Sequence, residues 1–231
     1  MSAGSASSSF FSPAVVRILP FALFMAFVVA SSLLPAPASG AAEWDTRTVY
    51  VVRTIAVAAL LLCLWRHYAE LAWTELRRCE WGRALLVGGL VFLLWIALDQ
   101  PWATIGEAVS FDPRHQDGRL DWSLIVPRLL GLAIVVPVME ELFWRSLIQR
   151  WIDKPQFLTL KPAAGSLRAL AIASVLFALE HTMVVAGLLA GLAYGWLYMR
   201  SNNLWSAVIA HALTNGLLGA WILATGRWHL W

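Results

Sequence analysis

Apolar residues run almost unbroken over about 13–34, 48–65, 83–98, 122–144, 184–199 and 204–225, with a shorter stretch at about 168–181. A helix that crosses a bilayer needs roughly 17 to 25 mostly apolar residues, so the longer runs predict spanning helices. The short one rises only ~20 Å between Arg168 and His181 at ~1.5 Å per residue, against a hydrocarbon core of ~30 Å. Backbone that stops at that depth must be buried in protein or line a wet cavity, so the turn at His181 and Thr182 is expected to be an interior feature. The first run is followed by "LPAPASGA", which resembles a signal-peptide cleavage region. Only Arg17 stands on its charged side and the apolar stretch exceeds a usual signal core, so a retained helix is expected.

The polar positions between these runs set an orientation. Arg66, Arg77, Arg78 and Arg83 fall in one loop, and Arg145, Arg150, Lys154, Lys161 and Arg168 in another. Basic loops stay in the cytoplasm. The 99–121 loop carries Asp99, Glu107, Asp112, Asp117 and Asp121 against Arg114 and Arg119, and the 35–47 loop has only Arg47, so both are expected outside. Alternation puts the N-terminus in the cytoplasm and the final "GRWHLW" outside.

Composition sharpens the class. Of 231 residues, 60% are hydrophobic and 13% charged, about half the charge of a soluble domain. Fourteen Trp, many near the ends of apolar runs, fit interfacial anchors. The net charge of +3 is small and its basic residues are spread among short loops, so nucleic acid is not an expected partner. Cys63 and Cys79 have no metal-site or disulfide spacing and read as free thiols.

Against that background three polar groups sit inside apolar runs, where ionisable residues are costly and face a cavity or one another. They are Glu140, Glu141 and Arg145; Glu180 and His181; and His211 with Asn215. Glu141 and Arg145 are four apart and within ion-pair reach on one helical face. Glu140 is turned away by roughly 100° and is free to point elsewhere. Phe177 and His181, and likewise His211 and Asn215, are four apart, so the His181 ring can rest on an aromatic while His211 and Asn215 form a stripe of donors. A base for water, a partner to position it and donors for an oxyanion are what amide hydrolysis needs.

"EELFWR" at 140–145, "FALEH" at 177–181 and "HALTN" at 211–215 fit E-E-x-x-x-R, F-x-x-x-H and H-x-x-x-N in that order. The region of about 122–225 thereby resembles the CPBP family, the CAAX-protease and bacteriocin-processing intramembrane endopeptidases. The resemblance implies Glu140 as the general base, His181 as a second holder of the water, and His211 and Asn215 as oxyanion stabilisers. It also implies that Glu141 and Arg145 brace the helix, and that no metal or other cofactor takes part. The substrate it implies is a membrane-associated protein or peptide, lipidated or not. "VPVMEELFWRSLIQRW" and "NLWSAVIAHALTNGLLG" look most like the bacterial members found beside exosortase systems, with a location in the bacterial inner membrane.

Plainer readings stand beside these. Taken alone, the Glu-Glu-Arg group is a solvated helix end, and a lone membrane His is a packing or interhelical hydrogen-bonding residue. Glu180 matches no family position and reads as structural. Gly187, Gly191 and Gly195, four apart, read as helix packing, and Trp144 as a wall of a substrate groove. H-E-x-x-H is absent, the Gly165–Ser166 pair lies in a charged loop, and Asp99 lacks a partner aspartate. The open alternatives are a metal-dependent protease using Glu140, Glu180, His181 and His211 as ligands, and a non-catalytic scaffold on the same fold. The expected fold is all-α: a polytopic transmembrane helical bundle of about seven membrane segments around a membrane-embedded catalytic cavity. Residues 1–121 are expected to supply N-terminal helices and loops, and 122–231 the catalytic core, within one membrane domain.

Overall fold

A computed structural model describes residues 12–33, 46–72, 76–106, 110–115 and 117–231. The "LPAPASGA" stretch and Glu107 lie outside the described residues. Among the described residues, seven helices make up an all-α bundle: α1 (Pro13–Ser32), α2 (Thr46–Cys63), α3 (Arg78–Ala97), α4 (Trp122–Gln149), α5 (Leu167–Ala178), α6 (Val184–Ser201) and α7 (Leu204–Thr225). Of these, α1, α3, α4 and α7 are long and apolar enough to cross a membrane, and the molecule is a helical membrane bundle.

The largest departures from the hydropathy pattern are at α3 and α4. Helix α3 begins at Arg78 rather than near 83, because Glu80 accepts a hydrogen bond from the Arg77 N–H (2.8 Å) and closes the first turn. Helix α4 continues past residue 144 to Gln149, which draws Arg145 out of the expected loop and into the helix. Left-handed residues end the last two helices, Asn202 (φ 56°) after α6 and Gly226 (φ 70°) after α7, where the reversed backbone caps free carbonyls.

Helix α5 has 12 residues, ~18 Å of rise, and stops inside the bundle as expected. Its partner is α6, and small residues let the two come close. A Cβ on Gly187 would meet Ala178 Cα at 3.2 Å, and one on Gly191 would meet Ser174 Cα at 3.0 Å. The contact of α3 with α7 is tighter still, since a Cβ on Gly88 would come to 2.6 Å from the Ala210 carbonyl. Cys63 and Cys79 are free and exposed.

At one end of the bundle, charges knit three segments together. Arg17 of α1, fully buried, gives Nε (2.8 Å) and Nη2 (2.5 Å) to Glu70 in the α2–α3 connection. Ser146 of α4 also donates to Glu70, and Arg150 donates to Ser146 Oγ at 2.6 Å. Burial alone would push the Glu70 carboxyl up, but hydrogen bonds and charge from Arg17, together with Ser146, hold it below the usual carboxylate range. The two basic loops thus share one end. The acidic 99–121 loop and the C-terminal residues share the other, where Asp99 pairs with His229 at 2.9 Å.

Candidate active site

Helix α4 carries the first group, and its irregularity begins the site. Residues 131–135 and 141–149 wind as π-helix, a form that concentrates at functional sites. Val136 N–H reaches back five residues to the Gly131 carbonyl. In that register the Leu132 carbonyl falls to residue 137, which is proline and has no N–H to give. Asn215 of α7 takes the freed carbonyl instead, with Nδ2 at 2.9 Å. A proline three residues before the paired glutamates therefore sets where Asn215 stands.

The two glutamates part. Glu141 is 0% exposed and engaged on both sides. His211 Nδ1 lies 2.9 Å from its Oε1, and Arg145 Nε lies 3.1 Å from its Oε2. The arginine N–H is not aimed at that oxygen, so Glu141 and Arg145 are joined by charge rather than by a hydrogen bond. The Arg145 guanidinium stacks over Phe177 at 4.3 Å and faces Tyr194 at 5.6 Å, and its Nη1 and Nη2 have no hydrogen-bond partner. Glu140 turns instead to the wall of a cavity of about 440 Å³, with its Oε2 unpartnered.

His181, Glu180, His211 and Asn215 line the same cavity. His181 Nδ1 lies 2.9 Å from the Phe177 carbonyl, an acceptor only, so Nδ1 carries the proton and Nε2 is left for the cavity. Its ring is held against Phe177 (centroids 4.7 Å) and edge-on to Trp95 (5.4 Å). His211 is fixed in the same way by Glu141 and by stacking on Tyr194 at 4.9 Å. Tyr194 is itself tied through Thr214 (2.7 Å) to the Gly88 carbonyl (2.9 Å). The close approach at Gly88 is therefore part of what places His211.

Glu180 matches no position of the three motifs, yet it stands beside His181 in the structure. Helix α5 has already ended at Ala178, and both residues stand in the following turn on the cavity wall, with the Thr182 carbonyl held by Ile105 N–H at 2.7 Å. Glu180 accepts from Trp144 Nε1 at 2.9 Å. Trp144 lies behind the wall, edge-on to Phe177, rather than lining a groove. Tyr194, Thr214, Trp95 and Gly88 were not legible as site residues, although the Pro137 and Gly88–Gly89 positions are signals of freed backbone and close approach. Among the described residues no three of His, Cys, Asp and Glu are grouped as metal ligands would be.

The geometry supplies an unengaged carboxylate, two imidazoles fixed at Nδ1 and an amide anchored at one N–H, all on one cavity inside an apolar bundle. Residues 122–217 match the family model described as "Type II CAAX prenyl endopeptidase Rce1-like", in agreement with the resemblance carried by the three motifs. No curated protein and no solved structure matches the chain.

Proposed function

We propose that this chain, whose residues 122–217 match the model of the type II CAAX prenyl endopeptidases, is a CPBP-type intramembrane endopeptidase that acts on a membrane-associated protein or peptide. The observation that carries the reading is the division of labour between the adjacent glutamates: Glu141 is held by His211 and Arg145, whereas Glu140 faces the cavity unengaged.

In this reading Glu140 takes a proton from water as the oxygen attacks the scissile carbonyl carbon. Nε2 of His181 accepts the water's second hydrogen and orients it. The carbonyl becomes a tetrahedral oxyanion, met by the second N–H of Asn215 and by His211. Donation from His211 Nε2 requires that the ring carry both protons, with Glu141 as its counter-ion. Collapse breaks the C–N bond, and the proton on Glu140 passes to the leaving amine. Asn215 can serve because the Leu132 carbonyl occupies only one of its two amide hydrogens.

The experiment is a comparison of membrane proteomes from wild-type and Glu140→Gln strains. A precursor that accumulates only in the variant, and that purified wild-type protein cleaves, supports the reading and reveals whether the substrate is lipidated. A variant with an unchanged proteome and normal cellular role assigns the chain to the scaffold class. Cleavage abolished by chelator and restored by zinc assigns it to the metal-dependent alternative. The orientation we propose, with the N-terminus in the cytoplasm of a bacterial inner membrane, is checked by cysteine labelling near Lys154 from inside and near Asp117 from outside.

A further inference from the structure

Two arginines stand apart from the others buried in this bundle. Arg17, Arg145 and Arg150 each lie within 4 Å of a carboxylate. Arg53 of α2 and Arg128 of α4 have none among the described residues, and the Nε of each is buried without a hydrogen-bond partner. Both are held in shape by rings. The Arg53 guanidinium lies over Phe24 at 4.2 Å and Tyr50 at 4.5 Å, and that of Arg128 over Tyr50 at 4.2 Å and Phe111 at 4.0 Å. Cation–π stacking fixes the planes, and although Arg53 also reaches the Tyr50 hydroxyl, the Nε–H of each arginine is left unspent. A charge held in an apolar span is costly unless something meets it.

What the pair faces is the cavity that holds Glu140, His211 and Asn215. The same two arginines also line a second hollow of about 270 Å³, together with Ser31, Ser32 and Ser110. We propose that Arg53 and Arg128 form a receptor for a carboxylate of the peptide substrate and so set the distance from that group to the bond cleaved. This rests on the proteolytic reading above. The guanidinium fork matches a carboxylate in shape and charge, and a peptide lying in one continuous cavity can reach both places. Arg128 precedes Glu140 by twelve positions on α4, ~18 Å of helix, a distance that an extended chain at ~3.3 Å per residue covers in about five residues. The carboxylate is supplied by the chain end or by an Asp or Glu side chain at that spacing.

The test uses the full-length protein in detergent with apolar peptides that end in a free carboxylate, their amidated twins, and amidated peptides with one Glu placed at varied distances. Wild type is expected to show a kcat/KM at least about tenfold higher on the acid than on the amide, with cuts about five residues before the carboxylate. The acid-to-amide ratio is expected to fall toward one in Arg53→Gln and Arg128→Gln, and to recover in part in Arg128→Lys. Rescue of an amidated peptide by the internal Glu identifies a side chain as the source, and absence of rescue identifies the chain end. Equal wild-type rates on acid and amide overturn the proposal. It is also overturned if the Gln variants lose thermal stability and Lys restores stability without preference, because the arginines are then structural cations. If phosphatidylglycerol in the micelles stabilises the protein through these arginines while the peptide terminus has no effect, the pair is a lipid headgroup site and the proposal falls. Should wild type cleave none of the peptides, the proteolytic reading fails. Acid-selective binding to the Glu140→Gln protein then still decides whether the arginines hold a carboxylate.

Discussion

The bundle buries two clusters that mix arginine and glutamate, and they are built to opposite standards. At the basic-loop end, Arg17, Glu70, Ser146 and Arg150 satisfy one another: Glu70 accepts from Arg17 and Ser146, while Arg17 also donates to the Pro13 carbonyl. Around Glu140 the same residue types leave Oε2 of both glutamates and both terminal nitrogens of Arg145 without hydrogen bonds. An unsatisfied buried polar group costs about 1 to 3 kcal/mol, more when charged, so a chain that only needed a rivet had the first cluster as its pattern. The second keeps an acceptor of Glu140 unspent on the wall of a cavity, with Glu141 and Arg145 buried behind it. Satisfied charge holds helices; unsatisfied charge on a cavity is available for chemistry.

The sharpest way to break this contrast is Glu140→Gln. Turnover is expected to fall by about 10² to 10⁴ with no loss of thermal stability, since Glu140 binds no cation directly. A purified-protein assay with a thermal melt reads both. Retained cleavage in Glu140→Gln with loss in Glu141→Gln reverses the assignment.

Next in size are the arginines that carry the fold. Arg17→Ala leaves Glu70 with only Ser146 and the more distant Arg150, and Arg145→Ala leaves Glu141 with His211 alone. Breaking a buried pair costs about 3 to 5 kcal/mol, so both variants are expected to melt well below wild type in detergent. A stable yet inactive Arg145→Ala moves Arg145 from bracing the helix to the reaction.

A smaller effect tests how packing reaches the site. Gly88→Ala places a methyl 2.6 Å from the Ala210 carbonyl, one residue before His211, and overpacking of this kind costs about 1 to 3 kcal/mol. Activity is expected to drop further than stability alone explains, because α7 must shift and His211 with it. Gly89→Ala, where a methyl meets nothing within 4 Å, is the control.

The smallest expected effect is a pH dependence at the rivet. The carboxyl of Glu70 is held below its ordinary range, so its contribution is complete above the unfolded-state value. That contribution is lost as pH falls through the lower folded-state value. Melting temperature is expected to decline on the acid side more steeply in wild type than in Glu70→Gln. Parallel acid limbs would show that Glu70 is not a titrating part of the clasp.

How much of this was legible in advance differs by scale. Hydropathy located the helices, and the short α5 could be read from its length, because span length is a property of consecutive residues. The division between Glu140 and Glu141 followed from a single helical step and an i,i+4 ion pair, both local. The helix boundaries of α3 and α4 were not legible from hydropathy, since a cap at Glu80 and π turns carry charged residues inside helices that hydropathy ends early. Glu180 shares the cavity wall with His181 because helix α5 stops at Ala178, so the helical step between them does not separate the two.

By itself the sequence determined which residue types lie on which helices, the order of the three motifs, and the one-residue offset that separates the paired glutamates. Only the tertiary structure decided their partners: that His211 is held by Glu141, that Asn215 is anchored on the carbonyl freed by Pro137, that Tyr194 and Gly88 set the His211 ring, and that Arg17 finds Glu70. The physical reason is that helical periodicity fixes neighbours three and four residues apart, whereas these contacts join helices distant in the chain. Their distances depend on how closely two backbones pack and on where a helix departs from regular winding.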